Sequence, residues 1–261
     1  MVCFVFCDET ASSNIAAELQ KILGLGISSE FHGLRHLSSS EHDMIEIRGR
    51  LIDADFLDSI LEDTAIFLSR HSSSKGIASF TVHATGNWSE DVSLGGRPKS
   101  LSVSAPLEMA NILRALERIS PKEIDVTYEA THHGPLLDKP SLFVELGGNE
   151  DMISSRKYAN LLATAVSESF DIVQEYGKVA FGIGGMHYSD KFTRLATSGK
   201  YAFSHIMPKY HADCVDMILK GLGRSNIKAD IALIEWKSIK ASDRENIVRE
   251  LNLLGIDYAK V

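Results

Sequence analysis

The chain has 261 residues, 44% hydrophobic and 24% charged, with a formal net charge of -8. This is the balance of a soluble globular chain able to bury a sizeable core. Its acidity excludes non-specific coating of DNA, which needs a broad basic face, while leaving room for contact with one end of an RNA through a local basic patch. In chain order, "VCFVFC" (2–7) is an apolar run without polar alternation, as in a central strand covered on both faces. "ETASSNIAAELQKILG" follows with Ile15, Leu19, Ile22 and Leu23 at helical spacing and Gly24 as a stop. Strands are expected at 43–49, 64–69 and 76–83, and a helix at 104–119 with Pro106 in its first turn. "EIDVTYEA" (123–130) and "SLFVEL" (141–146) read as strands, and Tyr158 to Phe170 as a helix. The strand "KVAFGIGG" (178–185), a helix at 212–223, the strand "KADIALIEW" (228–236), a helix at 244–254 and an edge strand "IDYAKV" complete the chain. This alternation predicts an α/β fold, one domain over 1–261 with a mixed, largely parallel central sheet flanked by helices.

Three cysteines, Cys3, Cys7 and Cys214, lack metal-type spacing, and their odd, low number suits a reducing cytosol better than a disulfide scaffold. Asp8 and Glu9 follow the first apolar residues at once, and no apolar run has membrane-spanning length. The expectation is a cytoplasmic protein without a membrane partner.

The chemistry gathers at strand ends, where sheets of this kind bind ligands. His71, His83, the stretch "EATHHGP" (129–135), Glu145, His187, Tyr188 and His205 all fall at or near predicted termini. If residues 124–133 stay extended, Glu129, Thr131 and His133 share one side and His132 the other. A turn at Gly134-Pro135 lets both histidines reach one site. Imidazoles and a carboxylate are zinc ligands and also general acids and bases. No His-Glu-x-x-His box is present, so spacing alone points to metal only weakly, and one histidine of such a pair is more often structural. For His32, His36 and His42 a surface or structural role is the better reading.

The glycine turns "ELGGNE" (145–150) and "GIGGMHY" (182–188) could form a nest for a phosphate or an oxyanion, through Gly184 and Gly185 in particular, or serve only for tight turning. Arg70, Lys75, Arg97 and Lys99 supply positive charge in two loops and could hold acceptor-strand phosphates. Trp88 is a candidate base platform, though a loop aromatic more often packs on the core.

Three long stretches, "SRHSSSKGIASFTVHATGNW" (69–88), "YEATHHGPLLDKPSLFVELGGNED" (128–151) and "FGIGGMHYSDKFT" (181–193), occur in the order seen in the archaeal and plant type of D-aminoacyl-tRNA deacylase, which the chain resembles. The resemblance implies a fold of the phosphorylase and peptidyl-tRNA hydrolase kind. It implies hydrolysis of the ester of D-aminoacyl-tRNA, a proofreading and detoxifying reaction on the tRNA acceptor end, by a zinc-containing monomer with one or two ions. It makes His83, His132, His133 and His187 the candidate metal ligands and Glu129, Thr131 and His133 the candidate catalytic groups. Arg70, Lys75, Arg97, Lys99, Gly184, Gly185 and Tyr188 become the candidate substrate-binding residues. Two departures, Gly147-Gly148-Asn149 for the family's Gly-Ser-Thr and Ser204 for its Gly, bear on substrate range. Two other readings stand beside this one: a zinc-dependent amidohydrolase or peptidase with no RNA partner, and a non-catalytic RNA-end-binding protein.

Overall fold

The structure, a computed structural model, describes residues 2–27, 30–71, 76–172 and 176–261. Its elements in chain order are β1 (Val2–Phe6), α1 (Thr10–Leu23), β2 (Gly26–Ile27), β3 (Arg35–Ser38), β4 (His42–Glu46), β5 (Thr64–His71), β6 (Ser79–His83), β7 (Gly86–Asn87), β8 (Ser100–Leu101), α2 (Pro106–Ile119), β9 (Asp125–Tyr128), β10 (Ser141–Gly147), α3 (Glu150–Ile153), α4 (Arg156–Ser169), β11 (Lys178–Ile183), α5 (Asp190–Thr197), β12 (Tyr201–Met207), α6 (Ile218–Gly223), β13 (Ile231–Ile234), α7 (Ala241–Leu253) and β14 (Tyr258–Lys260). Local chemistry sets several boundaries. Glu9 caps α1 by accepting from Ser12 N, and Gly24 ends it in the left-handed region at φ 63°. Pro106 starts α2 where no N–H is needed.

The central sheet runs β2-β3-β4-β1-β5-β10-β6-β9. Its middle, β4-β1-β5-β10, is parallel. β6 then runs antiparallel to β10, and β9 parallel to β6. The C-terminal strands build a second, all-parallel sheet in the order β12-β11-β13-β14. The expected fold class, α/β with mixed and largely parallel strands, is therefore what forms, with these last strands in a sheet of their own. No helix among the described residues is long and apolar enough to cross a membrane.

Side-chain alternation decides what each face of the central sheet does. Ile66, Leu68, Phe80, Val82, Leu142, Val144 and Leu146 point to one face and pack with residues of α1, α2 and α4. Their alternates Phe67 and Phe143 stack at 4.6 Å on the other face. The register continues that second face in polar residues: Glu145 pairs with Ser69 and Thr81, Gly147 with His71, and Phe143 with His83. One strand set thus carries an apolar face for the helices and a half-polar face for chemistry.

Several segments differ from the sequence reading: the short β2, β3, β7, β8 and α3, the helix α5, the strand β12 and the helix near 212–223. β12 was not expected, because Ser204 and His205 interrupt its apolar run. Both are buried and bonded internally: Ser204 Oγ donates to Gly221 O at 2.9 Å, and His205 Nε2 lies 2.8 Å from Arg224 O. The helix expected over 212–223 is α-helical only from Ile218. Lys209 N bonded to Gly185 O and Lys99 paired with Asp216 hold the preceding residues as short turns.

His205 ties the second sheet to the 129–135 segment. Its Nε2 faces the carbonyls of Ser102 and Arg224, so Nε2 carries the proton, and Nδ1 accepts from Thr131 Oγ1 at 3.1 Å. Burial pushes this histidine down to about 4. The unfolded chain takes up a proton near 6.5 that the folded chain refuses until about 4. Stability is therefore complete above the higher value and is lost as pH falls through this window, by up to about 3 kcal/mol. Urea melts at pH 7, 6, 5 and 4 should show this component in the wild type and its absence in His205→Gln.

Candidate active site

The centre lies on the polar face of the central sheet, not beyond the carboxyl ends of its strands. The reason is β6: because it opposes β10, its carboxyl-terminal His83 lies beside Phe143, near the start of β10, whereas His71 lies beside Gly147 at the end. Glu145 stands between them and reaches both, with Oε2 3.3 Å from His71 Nδ1 and 3.8 Å from His83 Nε2.

The stretch "EATHHGP" lies over this face. β9 ends at Tyr128, after which Glu129 N donates to Val82 O, Ala130 N to His187 O and Thr131 N to Ile206 O. The parity expected of a regular strand therefore does not apply, and His133 adopts φ 43°. Gly134 is required here, since a Cβ would collide with Gly96 N and Ile52 O, the loop packed behind the histidine pair. Both histidines reach the centre. His132 is the more central: its ring lies 4.2 to 4.6 Å from those of His133, His83 and His187.

Glu129 is buried under these rings. His71 Nδ1 lies 2.9 Å from Oε1, and His187 Nε2 and His132 Nε2 lie 2.9 and 3.5 Å from Oε2. Neither oxygen has a hydrogen bond of good geometry, and His83 Nε2 has no partner of that kind either. Among the described residues, three groups have ligand atoms within 4.8 Å of one another: His83, His132 and His133; Glu129, His132 and His187; and His71, Glu129 and Glu145.

The backbone fixes the imidazole tautomers. His83 Nδ1 lies 3.1 Å from Ala84 O, His132 Nδ1 lies 2.9 Å from Ala130 O, and His133 Nδ1 hydrogen-bonds Gly134 O. A carbonyl only accepts, so each Nδ1 carries a proton, and Nε2 of His132 and His133 is left to offer a lone pair. Burial would lower His83, but Glu145 beside it outweighs burial and raises it, so its Nε2 becomes a donor to an ion only on losing a proton. Burial, then the charge of His83, brings His133 down to about 4; burial and the same neighbour hold His132 well below the usual histidine range. Both are neutral at pH 7. Burial alone would lower His71, but Glu129 and Glu145 outweigh it and raise it to about 11. Burial opposes ionisation of the two carboxylates as well, yet the histidines hold Glu145 near 2 and Glu129 well below its usual range. The centre thus contains ionised carboxylates, a protonated His71, a His83 raised by Glu145, and neutral His132 and His133 aimed inward.

The other expected site residues are dispersed. Tyr188 joins the centre, its Oη 2.7 Å from His71 Nε2. Thr131 is committed to structure: its hydroxyl contacts His205 Nδ1 and accepts from Ile206 N, and its carbonyl accepts from the buried Trp88 Nε1. Trp88 is accordingly a core residue. Gly184 N donates to Met207 O and Gly185 N to Ser238 Oγ, so neither glycine N–H is free for an anion. Arg70 follows strand alternation to the opposite face from His71 and pairs with Glu150 at 2.7 Å. Lys99 pairs with Asp216 at 2.9 Å. Arg97 is exposed on the loop whose Ser93 and Leu94 wall a cavity beside His132 and His133. Lys75 lies outside the described residues. His71 and Glu145 stood out in the sequence as strand-end groups, but no role followed, because only the register puts them together. Tyr210, which lines the same cavity, gave no signal beyond an aromatic beside a lysine.

Fold and site define an α/β enzyme whose centre is a carboxylate pair enclosed by imidazoles. The chain matches the family described as D-aminoacyl-tRNA deacylase over residues 60–259. A D-aminoacyl-tRNA deacylase of Methanosarcina barkeri is 36% identical over 97% of this chain and 86% of its own length. That of Pyrococcus furiosus is 32% identical over 97% of this chain and 96% of its own. A crystal structure described as a conserved protein of unknown function matches at TM-score 0.90 and 30% identity, covering 100% of this chain and 95% of that one. This chain belongs to the D-aminoacyl-tRNA deacylase family.

The electrostatics can be read directly. In chelator-treated protein, nitrogen-15 shifts should find His71 still protonated far above neutral pH, with its midpoint near 11, while His133 stays neutral down to about 4. Glu145→Gln removes one of the two counter-charges and should move the His71 midpoint down. An unmoved midpoint would mean that Glu145 does not hold the proton.

Proposed function

We propose that this chain hydrolyses the ester joining a D-amino acid to tRNA, releasing the free amino acid and the tRNA. What carries the reading is that the family match over 60–259 spans the entire centre, from His71 to Tyr210. The partner is the acceptor end of one aminoacyl-tRNA, and the working unit is a cytoplasmic monomer. No relative reported above supports the amidohydrolase or peptidase reading.

The donor set fits zinc: inward Nε2 atoms, two of them on neutral imidazoles, buried carboxylate oxygens without hydrogen bonds, and Nδ1 positions fixed by carbonyls. His83, His132 and His133 would hold one ion. A second would use His187 and Glu129. A carboxylate has two oxygens, so one could serve an ion and the other a proton, whereas His132 Nε2 has one lone pair and would serve a single ion. When bound, zinc would polarise the ester carbonyl and make a water more acidic.

The chain's own groups complete the chemistry. Glu129, kept ionised at neutral pH, takes the proton of the attacking water and returns it to the leaving ribose oxygen. Doubly protonated His71 donates from Nε2 to Tyr188 Oη, which leaves the tyrosine hydroxyl proton to stabilise the developing oxyanion. Phe143, packed against His83 and His133, closes the floor to water. In a metal-free variant of this reaction the vicinal ribose hydroxyl of the substrate assists instead.

Deacylation of matched D- and L-aminoacyl-tRNA, with and without chelator, is the test. We expect turnover of the D-substrate, loss on chelation with recovery on adding zinc, and a fall in kcat of roughly 100-fold or more for Glu129→Gln. Elemental analysis should find zinc in the wild type and its loss in a His83→Ala, His132→Ala double variant. Equal turnover of both enantiomers would overturn the substrate, and full activity without metal would overturn the zinc.

A further inference from the structure

The family reading says that the scissile ester sits on the terminal ribose of the tRNA; it does not say what holds the base on that ribose. Ester carbonyl and base are attached to the same sugar. When the carbonyl reaches His132 and His133, the base is within reach of the cavity that opens beside them. That cavity is walled by Asn87, Trp88, Leu94, His132, His133 and Tyr210, among others. Of its two large aromatics, Trp88 is 2% exposed and Tyr210 is 51% exposed. Trp88 is unavailable for stacking, since its ring packs near Phe181 and its Nε1 is bonded to Thr131 O.

Tyr210 sits in a short 3-10 turn, Lys209–His211, anchored by Lys209 N to Gly185 O at 2.9 Å. That bond sets the tyrosine beside the 184–188 turn carrying the exposed Met186 and the imidazole of His187. On its far side Tyr210 also walls a second cavity, with Lys209, Asp213, Ser238, Lys240 and Asp243. Its two lysines are balanced by two aspartates. The aromatic face, not a charge, is what this wall offers a nucleotide.

We propose that Tyr210 is the stacking platform for the terminal base of the substrate tRNA and thereby a positioning residue for the ester. The inference rests on the D-aminoacyl-tRNA reading above. A base stacked on an aromatic side chain contributes about 1–3 kcal/mol by alanine substitution, independent of base identity. The ring is half exposed, so its loss removes little packing.

The experiment is steady-state deacylation of D-aminoacyl-tRNA by the zinc-supplemented full chain as wild type, Tyr210→Ala, Tyr210→Leu and Tyr210→Phe, with melting temperature and metal content measured on each. Tyr210→Ala should raise KM by about 5- to 150-fold, the stacking energy converted to a ratio, with a much smaller change in kcat. Tyr210→Phe should restore KM to within about twofold. Tyr210→Leu, apolar but without a π-face, should not. Should Tyr210→Ala fail to fold, the Leu and Phe pair decides alone. Unchanged KM in Tyr210→Ala, or rescue by Leu equal to that by Phe, overturns the platform while leaving the deacylase reading intact. Absence of wild-type turnover overturns both.

Discussion

The structure depends on one buried anion. Glu129 is almost wholly withdrawn from water, and burying a carboxylate costs several kcal/mol unless its charge is answered. Here the answer comes from rings on several elements: His71 at the end of β5, His132 three residues on, and His187 beyond β11. A second carboxylate, Glu145 on β10, shares His71 and reaches His83. The two sheets must therefore meet at this point. They are joined by the backbone as well, through the bridge between Glu129 and Tyr188 and the bond from Ala130 N to His187 O. The bonds that fasten the second sheet to the first are the ones that place His187 and Tyr188 over Glu129.

This coupling explains how neutral and charged imidazoles coexist within a few ångströms. His71 lies between two carboxylates and keeps a proton. His132 and His133 are buried beside positive neighbours and lose theirs. The main-chain carbonyls of Ala84, Ala130 and Gly134 then take the remaining Nδ1–H groups. Because those carbonyls belong to the turns that carry the histidines, the tautomers are built in with the backbone and do not await a ligand. Thr131 and His205 work in support, fixing the crossing segment to β12 through internal hydrogen bonds.

Much of this was legible in the sequence. Apolar periodicity located the principal strands and helices, since burial on one or both faces leaves a mark at every second or third to fourth residue. The clustering of histidines and glutamates at strand termini marks His83, Glu129, His132, His133 and His187 as companions in the sequence itself. The glycine stop of α1 and the proline start of α2 were readable because they are local. β12 was not, since Ser204 and His205 look exposed until their distant carbonyl partners are known.

The sequence by itself determined which residue types were available and which faces they would take along regular strands: the apolar and polar sides of β5, β6 and β10 follow from alternation alone. Only the tertiary structure decided what those faces meet. The antiparallel setting of β6 turned an expected edge site into one lying on the sheet face. The positive φ of His133 and the close approach at Gly134 cancelled strand parity and made His132 the central ring. Arg70 and Lys99 meet Glu150 and Asp216 in exposed ion pairs. The left-handed turn at His133 and the partner found by each charge are set by contacts between segments far apart in the chain, and periodicity within one segment carries no record of them.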